Sequence, residues 1–245
     1  MIMKQLFQSM IFAIFLFFVT NCFEQAQKSK LEISHLTENF YVFTTYNFYK
    51  GNPTPANGMY LVTESGVVMF DSPWDTTQFQ PLLDSIKAKH NKAVVICIAT
   101  HSHKDKTAGL EFLKERGVKT FTTKHTDDIS KVKGEKRAEF LMQKDTIFSV
   151  GQYKFATYYG GQGHTADNIV IWFDKAKVLY GGCLVKSVEA TDLGNVEEAN
   201  IQEWPTTIKK IQAKFKNPKF IIPGHQSWTS KESLDHTLKL IKEYK

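Results

Sequence analysis

From residue 40 onward the chain alternates short apolar runs with clusters of Gly, Pro, Asn, Asp and Ser. Runs of this length, rich in β-branched and aromatic residues, read as strands bounded by turns. They fall at FYVFTTY (40–46), GMYLVTE (58–64), GVVMFD (66–71), AVVICIAT (93–100), KTFTT (119–123), YKFATYY (153–159), NIVIWF (168–173), KVLYGG (177–182) and KFIIP (219–223). A helical period replaces the alternation in TTQFQPLLDSIKAKH (76–90), AGLEFLKERG (108–117), WPTTIKKIQAKF (204–215) and SKESLDHTLKLIKEY (230–244). In the last of these Leu234, Leu238 and Ile241 share one face, and Ser230 stands where an N-cap is expected. Strands and helices recur in similar proportion in both halves, with no low-complexity linker. The pattern predicts an α/β fold: one domain over 31–245, two sheets between outer helix layers.

The first residues follow a different pattern. MIMKQLFQSM IFAIFLFFVT NC carries one lysine and then an apolar block, Ile11–Val19. That block has the length of a signal-peptide core and is too short to cross a membrane comfortably. Residues 1–21 are therefore expected to be an export signal and 22–30 a tether, placing the domain in the periplasm. Val19-Thr20-Asn21-Cys22 resembles a bacterial lipobox, which would lipidate Cys22 and attach the chain to a membrane. Asn21 departs from the small residue that a lipobox has before its cysteine, and ordinary cleavage near Cys22 is the other reading; a single-pass anchor is a third.

Composition narrows the function. The chain has 245 residues and a net charge of +6, its lysines spread along the whole length. Without a concentrated basic patch or interleaved aromatics, nucleic-acid binding is not expected. Nothing in the pattern calls for an obligate oligomer, so a monomer is expected. The cysteines are three, Cys22, Cys97 and Cys183, an odd and sparse set for a disulfide framework. Cys97, inside AVVICIAT, suits a small buried hydrophobe.

The chemistry collects at strand ends. His101, His103 and Asp105 follow the strand 93–100; His164 follows 153–159; Cys183 ends 177–182; His225 follows 219–223. Glycines flank nearly all of them. Imidazole, carboxylate and thiolate together are the donors zinc takes. Six are too many for one tetrahedral ion with an open position, and the right number for two. His35, His90, His125 and His236 stand apart from this set and read as surface or internally satisfied residues.

THSHKDKTAG (100–109), GQGHTADN (161–168), YGGCLVK (180–186) and IPGHQSW (222–228), in this order, resemble the metallo-β-lactamase superfamily, and within it the subclass B1 β-lactamases. The resemblance covers about Leu31 to Lys245 and implies the four-layer αβ/βα sandwich of that family. It implies a first zinc on His101, His103 and His164 and a second on Asp105, Cys183 and His225. It implies hydrolysis of the ring amide of penicillins, cephalosporins and carbapenems by a metal-bound hydroxide that Asp105 orients, and hence antibiotic resistance. Lys186 then matches a lysine that meets the substrate carboxylate, and Asn195 an asparagine near the ring carbonyl, although its Gly-Asn context is also an ordinary turn signal. The segment 46–58 matches a mobile flap, with Phe48 and Tyr49 placed to cover an apolar substituent; a plain hairpin loop is the other reading. No serine nucleophile is required, and the S-x-x-K motif of serine β-lactamases is not expected. Lys106 departs from the arginine common at its position, which keeps the charge but loses the planar fork and alters packing, with Asp71 as the expected neighbour. Many relatives that are not lactamases carry a second histidine after the aspartate and a bridging aspartate in place of Cys183. A lactonase or thioesterase of the same fold is therefore the alternative, and a non-catalytic zinc-binding protein a more distant one.

Overall fold

Two sheets face each other, and the side chains between them fix the arrangement. A computed structural model of the protein describes residues 31–244; the leader, Cys22 and the tether lie outside the described residues. The first sheet runs β1 (Glu32–Thr37), β2 (Phe40–Tyr49), β3 (Asn52–Thr63), β4 (Gly66–Phe70), β5 (Val94–Ile98), β6 (Lys119–Thr123) and β7 (Phe140–Met142), in sequence order. Its first four strands are antiparallel, and β4 through β7 pair in parallel. The second sheet has the order β12 (Phe220–Pro223), β11 (Val178–Gly182), β10 (Val170–Phe173), β9 (Tyr153–Tyr158) and β8 (Ile147–Val150). It is antiparallel except where β12 joins β11.

Three cores make four layers. Phe40, Leu61, Val68, Phe70 and Ile98 of the first sheet meet Phe155, Ile171, Phe173 and Tyr180 of the second. On the outer face of the first sheet, Tyr60, Val67, Met69 and Cys97 pack on Leu82 and Ile86 of α1 (Phe79–His90) and Leu110 and Leu113 of a short helix. On the outer face of the second, Val170 and Leu179 pack on Trp204, Ile208 and Ile211 of one helix and Leu234 and Ile241 of another. A strand covered on both faces has no polar side, which is why GVVMF is fully buried.

The helices after α1 are α2 (Lys104–Thr107), α3 (Leu110–Lys114), α4 (Lys124–Lys133), α5 (Trp204–Lys214) and α6 (Ser233–Glu243). Differences from the sequence pattern have local causes. The first helix opens with a 3-10 turn, Thr76–Gln78, capped by the Asp75 carboxylate, which accepts from Thr77 N at 2.8 Å. The last starts at Ser233, and the Ser230 hydroxyl instead accepts from Glu232 N in the preceding turn. β1, β7, β8 and α4 escape the hydrophobic pattern because they are short or partly exposed; α4 is KHTDDISKVK, polar on most of its surface. The flap segment is a hairpin: β2 and β3 continue to a two-residue turn at Lys50-Gly51, with φ of 50° and 79° as a type I′ turn requires. Among the described residues no helix is long and apolar enough to cross a membrane.

Candidate metal centre

Strand ends of both sheets meet along one rim, and the six donors lie there. β5 delivers Thr100 and His101, and α2 begins at once, so that His103 sits at its N-cap and Asp105 in its first turn. The loop after β9 delivers His164, locked by the Asn168 amide, whose Oδ1 accepts from Thr165 N and whose Nδ2 donates to Gly161 O, each at 2.9 Å. β11 leads directly into Cys183 and β12, through Gly224, into His225, and the two turns are pressed together. A Cβ on Gly224 would lie 2.4 Å from Cys183 Sγ and 2.6 Å from its backbone nitrogen, so only glycine fits there.

The donors form two connected sets. Donor atoms of His101, His103 and His164 lie within 4.8 Å of one another, and so do those of His101, Asp105 and Cys183. His164 Nε2 is 3.2 Å from His103 Nδ1. Cys183 Sγ is 3.3 Å from Asp105 Oδ2 and 3.2 Å from His225 Nε2, which is 3.3 Å from the same carboxylate oxygen. Zinc–donor bonds of about 2.0–2.3 Å place two tetrahedral donors roughly 3.3–3.8 Å apart, so these spacings suit ligands of shared ions. His101 Nε2, buried between the sets, has no hydrogen-bond partner among the described residues. A buried imidazole nitrogen without a partner is costly unless an ion takes its lone pair.

The surroundings set charge and orientation. Burial holds His101 and His164 well below the usual imidazole range, so both are neutral with a lone pair to offer. Burial would raise the Asp105 acid, but the ammonium of Lys106, the hydrogen bond from His225 and the nearby His101 together outweigh it and hold the acid well below the usual carboxylate range. Burial pushes the Cys183 thiol far up, and a bound cation is what would deprotonate it. Two ring orientations are held from behind: the His103 Nε2 lies 3.1 Å from Glu198 Oε2, and His225 Nδ1 donates to Pro55 O at 2.6 Å. Each leaves the opposite nitrogen facing the site. Such outer partners fix tautomer and ring angle.

Lys106 is fully buried. Its Nζ donates to Asn57 O at 3.0 Å and Gly224 O at 3.3 Å, and stands 3.3 Å from Asp105 Oδ2 and 3.9 Å from Asp71 Oδ2. Asp71 accepts from Thr100 N at 2.7 Å, Thr100 Oγ1 at 3.0 Å and Tyr180 OH at 2.7 Å. One lysine thus ties the Asp105 turn, the His225 turn, the β3 strand and the buried Asp71 together.

A cleft of about 770 Å³ opens above the donors, bordered by Tyr49, Trp74, Lys186, Asn195 and Glu198. Lys186 is largely buried in its wall, with Nζ 5.3 Å from the centre of the Trp204 ring. Asn195 borders the cleft, and its Oδ1 accepts from Glu197 N at 3.3 Å, so the residue also makes the turn its context announces. Tyr49 is in the wall, whereas Phe48, on the opposite face of the strand, is 63% exposed and outside it. An S-x-x-K spacing does occur, at Ser130–Lys133, contrary to expectation. Ser130 is buried and Lys133 pairs with Glu198, so the two do not form a nucleophile and base. Glu198 and Gln78, a buried amide at the base of the hairpin, carried no sequence signal: neither belongs to a motif. Asp71 is the neighbour of Lys106 that the sequence leads one to expect, and Tyr180 opens the YGGCLVK motif without that motif announcing its bond to Asp71. Of the other histidines, His35 bonds Glu38 O, His90 the Tyr60 hydroxyl and His236 Ala190 O, each internally satisfied.

Known proteins share this architecture. The sequence profile described as Metallo-beta-lactamase superfamily matches residues 51–225. Metallo-beta-lactamase type 2 of Elizabethkingia meningoseptica is 44% identical over 224 residues, 91% of this chain and 90% of the relative. Metallo-beta-lactamase IND-1 of Chryseobacterium indologenes is 43% identical over 208 residues, covering 85% of this chain and 87% of its own. Among solved structures, a metallo-beta-lactamase from Pontibacter korlensis superposes with a TM-score of 0.85 at 32% identity, over 88% of this chain and 100% of its own. Family profile, relatives and structural superposition agree, and the chain belongs to the metallo-beta-lactamase superfamily.

Proposed function

We propose that the protein hydrolyses the ring amide of β-lactam antibiotics, carbapenems included, using two zinc ions. His101, His103 and His164 would hold the first, and Asp105, Cys183 and His225 the second. The observation that carries this reading is the convergence of two donor sets that share the buried His101, whose Nε2 has no partner among the described residues, at a single cleft lined by His103, Asp105, His164 and His225. Bound zinc supplies water ionised near neutral pH and an electrophile for the amide carbonyl.

The chain's own groups do the rest. Asp105, held as a carboxylate, accepts a hydrogen bond from the attacking water and orients it. Lys186 presents an ammonium in the cleft wall, suited to the carboxylate that penicillins, cephalosporins and carbapenems share. Asn195, on the same loop, is within the cleft to meet the ring carbonyl. Tyr49 covers an apolar substituent, and Phe48 reaches it only if the hairpin bends inward. Export to the periplasm rests on the apolar leader and would place the enzyme ahead of the cell-wall targets of these drugs.

The test is hydrolysis of imipenem and nitrocefin by the mature protein with zinc, after chelation, and after zinc is restored. Turnover that vanishes and returns supports the proposal. A folded sample holding two zincs with no turnover overturns it and points to lactone and thioester substrates.

A further inference from the structure

Among the described residues, no strand pairs with residues 45–49 or 52–58 of the hairpin from outside the ribbon. The last β1 partner is Glu32, opposite Thr44, and β4 joins only from the Met59–Phe70 pair. A two-stranded ribbon alone is marginally stable. This one is held at its root, where Asn57 donates to Gly224 O, Pro223 O and Gln226 O and accepts from Lys106 and Tyr180, and again further out at one rung. Tyr46 and Pro55 are register partners. Proline has no N–H, so this rung is one whose backbone groups face outward from the ribbon. On one edge Pro55 O accepts from the His225 ring at 2.6 Å. On the other, the side-chain amide of Gln78 takes the place of a neighbouring strand: its Oε1 accepts from Tyr46 N at 3.1 Å and its Nε2 donates to Tyr46 O at 2.8 Å. Gln78 is 1% exposed, fixed at the end of the 3-10 turn that Asp75 caps. Trp74, from the same segment, donates its backbone N–H to Thr45 Oγ1 at 3.4 Å.

We propose that Gln78 is a positioning residue that pins the hinge of the hairpin at the Tyr46–Pro55 rung and so sets where the free arm, residues 47–54, lies over the cleft. The arm carries Tyr49 and Phe48, and it pivots between a donor of the candidate centre on one edge and Gln78 on the other. Gln78 touches no substrate; it acts through Tyr46. The consequence for substrate binding rests on the proposed β-lactamase activity, whereas the consequence for the arm does not.

Gln78→Met keeps the length and apolar stem and removes both hydrogen bonds. In zinc-loaded protein, amide exchange in a peptide spanning 46–56 is expected to quicken roughly 10-fold, with peptides of β10 and β11 unchanged. KM for nitrocefin, which has a large substituent, is expected to rise roughly 3- to 10-fold with kcat within about 2-fold, while zinc content stays at the parent value. Should Gln78→Met fail to fold, Gln78→Glu keeps an acceptor for Tyr46 N and opposes Tyr46 O, and an intermediate gain in exchange is expected. Unchanged exchange in the hairpin overturns the inference, as does acceleration throughout the chain or loss of zinc. Absence of turnover in the unaltered protein counts against the function alone, because hairpin exchange still decides for or against the pin.

Discussion

Lys106→Met tests whether the buried lysine is the tie that the geometry makes it. Methionine keeps an unbranched apolar stem in a site with no solvent access and deletes the charge and its donors. The lost contacts are the carboxylate of Asp105 at 3.3 Å, that of Asp71 at 3.9 Å and two carbonyls at 3.0 and 3.3 Å. With an effective dielectric near 20, each carboxylate attraction is on the order of 4–5 kcal/mol before desolvation is subtracted. Breaking a buried pair by removing one partner nets about 3–5 kcal/mol, a large share of a typical domain's stability. For a domain of this size that corresponds to a fall in Tm of roughly 6–20 °C. The loss should be greatest without metal, because a cation bound by Asp105 compensates its charge. It should also depend on pH. Burial raises Asp71 to about 6, with Lys106, Tyr180 and Thr100 pulling the other way, so losing Lys106 lifts it further. An acid raised in the folded state binds its proton more tightly there than when unfolded. The unfolded value is common to variant and parent and cancels, so the deficit is full above the variant's raised value and shrinks as pH falls through it to about 6, the parent's folded value, below which it stays level. Denaturant unfolding of chelated and zinc-loaded protein from pH 4.5 to 8 measures all of this. A deficit below about 1 kcal/mol in the metal-free form at pH 8 would refute the reasoning.

Glu198→Gln keeps the size of the side chain but weakens its hold on His103, and zinc affinity is expected to fall roughly 10- to 100-fold in a chelator competition; unchanged affinity would show that Glu198 serves only its pair with Lys133. Lys186→Ala should raise KM for imipenem by roughly 10- to 150-fold, the equivalent of about 1.5–3 kcal/mol for a charged hydrogen bond, with a smaller effect on kcat; a KM within 2-fold of the parent removes Lys186 from substrate binding. Arg137 grips Asp127 with two hydrogen bonds, at 2.7 and 2.8 Å, and holds that acid below the usual carboxylate range. Because the arginine is exposed, solvent screens the pair and Arg137→Met should lower stability only slightly at pH 7. A depressed acid stabilises the fold above its unfolded pKa, so this difference should vanish as pH falls below about 4; a difference that persists at pH 2 would mean that packing, not charge, is lost.

The four-layer architecture and the six donors were both legible in the sequence, for one reason. Burial on two faces forces continuous apolar runs, and metal-type donors are costly enough elsewhere that their recurrence at strand ends stands out, as at His101, His103 and Asp105. Elements stabilised by neighbours and not by their own pattern were invisible: β7 is three residues on a sheet edge, and α4 is mostly polar. The hairpin arm read as a loop because its prolines and Gly51 look like turn chemistry, whereas Gln78 and His225, far apart in the chain, grip the two edges of its Tyr46–Pro55 rung. The same holds for the partners behind the donors. Glu198 belongs to no motif, and the bond between Asp71 and Tyr180 is not announced by either residue's surroundings in the sequence, since any chain segment of the right reach can supply a carboxylate or hydroxyl. Which segment does so is decided when sheets pack and bring residues separated by as many as 170 positions into hydrogen-bond contact. Residue chemistry and local period thus determined what the site is made of, and tertiary packing alone decided what holds each part in place.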